Sequence, residues 1–272
     1  MSNVVVAQLE TNRVSAELWL NGLPLLRATE SWSRKSRPVH QFLQPGPNRL
    51  ELVVEPGFTP TTARLPWGSK TLPEKSWAEV RLLVFQHGSA PEPELGTMIA
   101  KLRFDGDAHS DGGRVEREHR FPAIAGIDVH PSWTRQPVWA EAEPLRLDAA
   151  LVEEAHTTLE ELARALRAGD RAAYGVLAGT RVRGHLQAYP AMPVEMAERD
   201  VKELLTKCWE RPDYVVDHDR AAQEYRLVGG DRLLHVIGRD FTPAFKYRDA
   251  DGVTFGDDMF LARMDGRLRV VA

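Results

Sequence analysis

The chain has 272 residues, of which 43% are hydrophobic and 27% are charged. This balance excludes wholesale disorder, because a disordered chain carries too few apolar residues to form a core. The length exceeds the usual range of a single hydrophobic core and predicts two domains. The formal net charge of -4 argues against nucleic acid as a partner, since phosphate binding needs a basic face.

The single cysteine, Cys208, excludes an intrachain disulfide and fits a reducing compartment. No basic segment precedes the short apolar stretch at 4–7, so we expect no signal peptide. No run approaches the roughly 18 apolar residues of a membrane-spanning helix. We therefore expect a cytoplasmic protein without a membrane partner.

The first half of the chain predicts β-strands. Short apolar runs separated by Gly and Pro turn signals occupy 14–20, 23–26, 49–54, 79–85 and 98–104, and a charge-alternating edge strand is predicted at 114–121. Asn21-Gly22 is a strong hairpin signal between the first two runs. This spacing is typical of an antiparallel β-sandwich, which we predict for a domain over 1–140. A connector over 129–144, rich in Pro and Trp, should be packed down rather than extended.

In the second half of the chain, the spacing of apolar residues changes from that of strands to that of helices. From Asp148 onward, apolar residues at three- and four-residue steps predict a helix that Asp148 caps and Gly169 ends. Asp170 is placed to cap a second helix, and a third fits 194–209. Strands with hairpin turns at 229–231 and 265–266 follow. The predicted class is α+β, with helices and then a curved antiparallel sheet in a domain over 141–272.

Two resemblances to known families follow from these patterns. The helices-then-sheet order, ending in a strand at 259–264, Asp265-Gly266 and a last strand at 268–271, resembles the cone-shaped cystatin/NTF2-like folds. The NTF2-like superfamily contains enzymes, binding proteins and scaffolds, so this resemblance implies a fold and no particular activity. The segments 18–25 and 42–52 resemble the hairpin and strand entry of galactose-binding-like sandwiches.

Metal and cofactor chemistry finds little support in the sequence. Asp105, Asp107 and Asp111 could offer oxygen ligands to Ca²⁺, but their spacing does not match the EF-hand pattern. A solvated polar turn is the preferred interpretation of this segment. Zinc-ligand spacing, a phosphate-binding loop, a dinucleotide fingerprint and a serine elbow are all missing from the sequence. We therefore predict no metal and no cofactor.

Two histidines, His185 and His235, fall where a cone fold would have its pocket. His235 lies in an apolar strand and could act as a general base if a carboxylate reached it. Such a histidine is more commonly hydrogen-bonded within a core. The carboxylates that would have to reach it are Asp217, Asp219 and Asp240.

Aromatic and basic residues supply the remaining binding candidates. Trp32 and Trp67 lie in Pro/Gly/Ser-rich segments, where tryptophan serves as a sugar platform, as an interface anchor or as a plug on the core. Arg34 and Arg37, in a basic loop beside Trp32, suit an acidic partner and equally suit a solvated loop. By contrast, Trp19, Trp77 and Trp209 sit in predicted elements and should be core residues, and Cys208 should be a buried structural thiol.

These observations lead us to expect a non-enzymatic bacterial cytoplasmic protein that binds another protein, such as an immunity protein or a secretion-system accessory protein. One alternative is an NTF2-like pocket enzyme or small-molecule binder. The other is a carbohydrate-binding module acting through Trp32 or Trp67. The sequence does not determine the oligomeric state.

Overall fold

The computed structural model divides the chain into two compact units, Met1–Gln136 and Pro137–Ala272. It describes residues 3–30, 33–55, 68–86, 96–106, 118–121, 123–131, 134–210, 215–217, 219–238, 243–248, 254–257 and 259–272. The described residues form helices together with many strands in antiparallel sheets, so the α+β class is confirmed.

The first unit is built from strands. Its strands are β1 (Asn3–Asn12), β2 (Ala16–Leu20), β3 (Leu23–Ala28), β4 (Arg34–Pro38), β5 (Asn48–Val54), β6 (Gly68–Thr71), β7 (Trp77–Gln86), β8 (Thr97–Asp105), β9 (Glu118–Phe121) and β10 (Ala123–Val129). One antiparallel sheet has the order β4-β1-β7-β8 and another the order β10-β5-β2-β3, while β6 and β9 pair separately.

The core of the first unit follows from period-two alternation along its strands. In β1, Val5, Ala7 and Leu9 are fully buried, as Leu18 and Leu20 are in the facing sheet. The two sheets touch through β1 and β3 and through β8 and β10. Asn21 and Gly22 take positive φ angles of 54° and 75° in the predicted hairpin turn, which confirms that turn.

The second unit places three helices before its sheets. Its elements are α1 (Ala149–Arg167), α2 (Arg171–Ala188), α3 (Val194–Glu210), β11 (Val215–Asp217), β12 (Gln223–Val228), β13 (Leu233–Gly238), β14 (Phe245–Arg248), β15 (Thr254–Asp257), β16 (Met259–Met264) and β17 (Arg267–Val270). One sheet has the order β12-β13-β16-β17 and the other the order β11-β14-β15.

The predicted helix boundaries are confirmed by their caps. Asp148 accepts a hydrogen bond from the Leu151 amide at 2.9 Å, and Asp170 accepts one from the Ala173 amide at 2.9 Å. Gly169 ends α1 with a φ of +63°. The apolar faces of the helices and of β13, β16 and β17 then form one buried cluster. Within the described part of this unit, this cluster is the apolar core that joins the helices to the sheet.

Some sequence predictions of local structure were wrong or incomplete. The basic segment predicted as a loop is the edge strand β4, which pairs with β1. Of the edge strand predicted at 114–121, only β9 is described, and 107–117 lie outside the described residues. The predicted connector begins inside β10, and its Trp139 is buried, whereas Trp133 lies outside the described residues.

Membrane crossing by helices finds no support in the described residues. None of the helices there is both long enough and apolar enough to span a bilayer.

Candidate functional site

The carboxyl-terminal ends of α1 and α3 lie together in the second unit. The turn after α1 is tightly closed, because Gly169 donates to the Leu166 carbonyl at 3.1 Å and Asp170 donates to the Ala165 carbonyl at 2.9 Å. The indole of Trp209, near the end of α3, lies directly against Gly169. A β-carbon added to Gly169 would be 3.3 Å from both Cβ and Cγ of Trp209. The glycine therefore permits the ring to approach the backbone closely.

Trp209 was predicted to be a core residue, and that prediction was wrong, because 62% of the residue is exposed. Its neighbour Cys208 is buried as predicted, and burial raises the pKa of its thiol to about 11. Leu205 and Cys208 form the inward face of α3, and Trp209 is turned roughly 100° from Cys208 around the helix. The base of the side chain, at Cβ, Cγ and Cδ2, lies beside Gly169, and most of the residue meets solvent.

An open depression of about 550 Å³ adjoins this turn. The described residues that line it all belong to the end of α1 and the residue after it, namely Glu160, Arg164, Arg167 and Ala168. Ala168 directly precedes Gly169, so the edge of the depression is one residue from the glycine on which Trp209 packs. An exposed tryptophan and two arginines at one place are the residue types enriched at protein-binding hot spots.

The two arginines differ in how they are held. Arg167 donates to the backbone carbonyl of Val216 and so links α1 to β11. Arg164 is exposed, and it makes no ion pair with any residue that the structure describes. Cations near a helix carboxyl terminus interact favourably with the helix dipole. Both arginines therefore also stabilise the end of α1. The free donors of both guanidinium groups nevertheless face an accessible depression.

The predicted basic pair Arg34 and Arg37 lies on β4. The two residues are three positions apart, so they point to opposite faces of the sheet. Arg34 forms an ion pair with Glu10 at 2.6 Å and is strongly exposed. Arg37 is half-buried, donates to the Leu25 carbonyl at 3.1 Å and lies 5.3 Å from the ring centre of Phe42. The structure therefore separates these two candidates.

Several other candidates lie outside the described residues. These are Trp32, Trp67, Asp107, Asp111 and Asp240. Asp105, at the end of β8, lies 3.6 Å from Arg103 in an ion pair. Among the described residues, no group of three or more His, Cys, Asp or Glu side chains is placed to hold a metal ion.

His185 lies in the last turn of α2. Its ring centre is 4.6 Å from that of Tyr189. Burial lowers the pKa of His185 below its usual value, and the charge of Arg181 lowers it further against an opposing effect of Asp200. This half-buried ring belongs to a helix end, whereas His235 belongs to the sheet.

His235 lies on β13, on the face opposite to the apolar cluster that contacts the helices, because Leu234 and Val236 belong to that cluster. It is 1% exposed and stacks on Phe260 with ring centres 4.4 Å apart. The Nε of buried Arg226 donates to Nδ1 of His235 at 2.7 Å. This bond occupies the Nδ1 lone pair, so that nitrogen is not available as a base while the bond holds. Asp219, one of the carboxylates considered for it, instead accepts from the Ala221 amide.

The structure reveals a polar cluster that the sequence did not predict. The Tyr225 hydroxyl lies 3.0 and 3.1 Å from the two ring nitrogens of His156 and donates to the Gln223 side chain at 2.6 Å. Gln223 in turn donates to the Ala244 carbonyl at 3.2 Å. Burial raises the pKa of Tyr225 well above its usual value. Only the position of His156 beside Ala155, on the apolar side of α1, hinted in the sequence that this histidine is buried.

The first unit has its own charged cluster, on β7 and β8. Glu79 is 2% exposed and is bound by Arg81, by Lys101 at 2.9 Å and by Arg103 at 3.2 Å. Arg103 also lies over the ring of Trp77 at 4.8 Å. Burial alone would raise the pKa of Glu79, but the hydrogen bonds from the three cations outweigh burial and lower it. These contacts satisfy the carboxylate within the sheet.

Comparison with known proteins adds no relative. No protein-family model, curated protein or solved structure matches the chain.

Proposed function

We propose that the chain is a binding protein rather than an enzyme, and that it contacts another protein through the surface formed by Trp209 and the end of α1. The observation that carries this proposal is the exposure of Trp209, 62%, together with its position against Gly169. Singly exposed apolar residues are normal on protein surfaces, but Trp209 packs on the glycine next to a depression with two arginines, and Trp and Arg are enriched at binding hot spots.

Energetic considerations favour an anchor role for this ring. A tryptophan buries roughly 150–250 Å² in a contact. At about 25 cal/mol per Å², covering the exposed part of Trp209 would contribute roughly 3 kcal/mol to binding. Gly169 already restricts the motion of the Trp209 ring on one side. Less side-chain conformational entropy is therefore lost when a partner covers the other side.

We also infer the finer architecture of the two units. The first unit is proposed to be a β-sandwich, supported by two antiparallel sheets that touch through their strands. The second is proposed to be NTF2-like, supported by three helices that precede the sheet in the chain and pack on it. A cytoplasmic location and an immunity or secretion-system role belong to the same proposal. The location is inferred from the sequence, and no residue of the chain points to the immunity or secretion-system role.

The alternative functions receive less support. A pocket enzyme of the NTF2-like kind would need a cavity between helices and sheet that holds its histidines. The described side chains there form an apolar cluster, and a depression of about 320 Å³ beside α1, α2 and β17 is lined by neither His185 nor His235. His235, its proposed base, lies on the other face of the sheet. The carbohydrate-binding alternative depends on Trp32 and Trp67, which lie outside the described residues.

Affinity capture with matched variants tests the proposal. Immobilised wild-type protein, Trp209→Ala and Met196→Ala would each be exposed to lysate of the organism that encodes the chain. Met196 is the control, because it is an exposed apolar residue near the other end of α3. We expect one protein to be retained in stoichiometric amount by the wild type and by Met196→Ala, and to be lost with Trp209→Ala.

Two results would contradict the proposal. One is equal retention of every captured protein by Trp209→Ala and by the wild type. The other is the absence of a stoichiometric partner under gentle conditions at several salt concentrations.

A further inference from the structure

We propose that the partner presents an acidic residue next to an apolar one, so that Arg164 and Arg167 bind the carboxylate and Trp209 covers the apolar side chain. This inference rests on the proposed function and adds the chemistry of the bound segment. Its first support is Arg164, an exposed cation at the depression with no ion-pair partner among the described residues.

Both arginines have guanidinium N–H groups that can still donate hydrogen bonds. A guanidinium group has five N–H donors, and its planar shape matches a carboxylate in two parallel hydrogen bonds. Arg167 uses one terminal nitrogen for the Val216 carbonyl. The two arginines lie three positions apart on α1, which places them on one side of the helix. A single carboxylate therefore has two neighbouring cations to bind.

Two features of this depression disfavour the binding of an anion. Glu160 also lines the depression, one turn before Arg164, and the carboxyl terminus of α1 carries partial negative charge. The amides of Ala168, Gly169 and Asp170 already donate to the carbonyls of Arg164, Leu166 and Ala165, respectively, in the last turn of the helix. The described lining residues still have two positive charges against one negative charge, which suits one carboxylate.

A polyanion fits this surface less well than a short acidic segment. The adjoining helix α3 carries Glu and Asp at five positions and Lys and Arg at three, so it has an excess of two negative charges. A nucleic acid would bring several phosphates against that excess. A peptide needs only one carboxylate at the arginines, and its neighbouring apolar residue can reach Trp209.

Peptide selection on the full-length protein tests this chemistry. The probe is a phage library of random peptides of about twelve residues, selected on wild type, on Trp209→Ala and on Arg164→Glu. We expect peptides enriched on the wild type to carry Asp or Glu beside an aromatic or aliphatic residue. The affinity of a synthetic consensus peptide, measured by fluorescence anisotropy, should fall at least about tenfold in Arg164→Glu and in Trp209→Ala.

Arg146→Glu is the matched control for charge. Arg146 is exposed, forms no ion pair with any described residue and precedes α1, so it lies roughly 20 Å or more from Arg164 along the helix. The same change of two charge units there should alter the peptide affinity by less than about twofold, because surface charges at that distance are largely screened.

The outcomes separate the two proposals. If the captured partner needs Trp209 but binds Arg164→Glu as tightly as the wild type, the acidic-segment inference fails and the protein-binding function stands. If Trp209→Ala has no effect on either partner or peptide, both fail. Selection of no peptide, or of peptides without acidic residues, overturns the inference. So does tight binding of an oligothymidylate that the acidic peptide cannot displace.

Discussion

The side-chain amide of Asn21 donates to Oδ1 of Asn48 at 2.8 Å, and so joins the turn between β2 and β3 to the start of β5. Asn48 is fully buried, and its Oδ1 also accepts from the backbone N–H of Gln44 at 2.8 Å. Its Nδ2 donates to the carbonyls of Gln44 and Gly46. The two asparagines, which lie in the segments that resemble galactose-binding-like sandwiches, thus bind backbone groups and each other.

Replacing Asn48 should destabilise the first unit. Asn48→Ala removes four hydrogen bonds, and we expect a loss of about 4 kcal/mol, since each bond contributes about 1 kcal/mol. Asn48→Asp keeps the acceptor but replaces Nδ2 with an oxygen that faces the Gln44 and Gly46 carbonyls in a buried site, so its loss should be at least as large. Urea unfolding followed by fluorescence measures these differences.

Gln44→Ala is the control for this series. It removes the exposed side-chain bond to the Pro47 carbonyl and keeps the backbone groups that contact Asn48. Its loss should stay below about 1 kcal/mol. An Asn48→Ala protein as stable as Gln44→Ala would show that the buried network contributes nothing measurable.

Turn chemistry made much of the fold predictable from sequence. The hairpin turns at Asn21-Gly22 and Asp265-Gly266 need positive φ, which these residue types adopt readily, and their φ angles are positive. Strand β4 could not be predicted in this way, because its sequence, Arg34–Pro38, has no apolar alternation. It is a strand because β1 offers it an edge to pair with, and that pairing is not local.

Gly169→Ala should destabilise the second unit and disturb Trp209. An alanine at a φ of +63° costs roughly 1–2 kcal/mol, and its β-carbon would press on the indole at 3.3 Å. We expect a loss of stability of that size and a changed resonance of Trp209 in ¹⁹F NMR of fluorotryptophan-labelled protein, assigned through Trp209→Phe.

Gly175→Ala is the control for this variant, because it adds the same methyl group at a position inside a helix. Gly175 lies within α2, and no atom is within 4 Å of the position its β-carbon would take. This variant should gain up to about 1 kcal/mol, because alanine is the better helix former. Equal effects of the two substitutions would mean that neither the backbone conformation nor Trp209 constrains position 169.

The candidate site was less predictable than the fold, for a geometrical reason. Periodicity places Leu205 and Cys208 on the buried face of α3, but it does not give the width of that face. Trp209 is large and apolar, so the sequence favoured burial. Its exposure depends on where the turn at Gly169 meets α3, and that meeting is a tertiary contact.

Glu79→Gln should destabilise the first unit in a pH-dependent way. The cations around Glu79 hold its pKa below the usual value of about 4.3, so the folded state favours the ionised carboxylate. This stabilisation is fully present above about pH 4.3 and is lost as the pH falls through the lower pKa of the folded state. The stability difference between wild type and variant should therefore be largest near neutral pH and shrink in acid.

Glu10→Gln is the comparison for the acid series. Its ion pair with the largely exposed Arg34 should contribute less than about 1 kcal/mol at neutral pH. Unfolding in urea at a series of pH values compares the variants. A Glu79→Gln deficit that stayed constant from neutral pH into strong acid would exclude ionisation of Glu79 as its cause.

Cys208 should be nearly inert in the folded protein. It is 5% exposed, and with its pKa raised to about 11 only roughly one thiol in a thousand is ionised near pH 8. Reaction with a chromogenic disulfide reagent should be at least about a hundredfold slower in buffer than in denaturant, where the pKa returns to about 8.5. Because Cys208 is the only cysteine, the signal reports on α3 alone. The same measurement tests the binding variants, since loss of partner binding by Trp209→Ala has its proposed meaning only if Cys208 stays as protected as in the wild type.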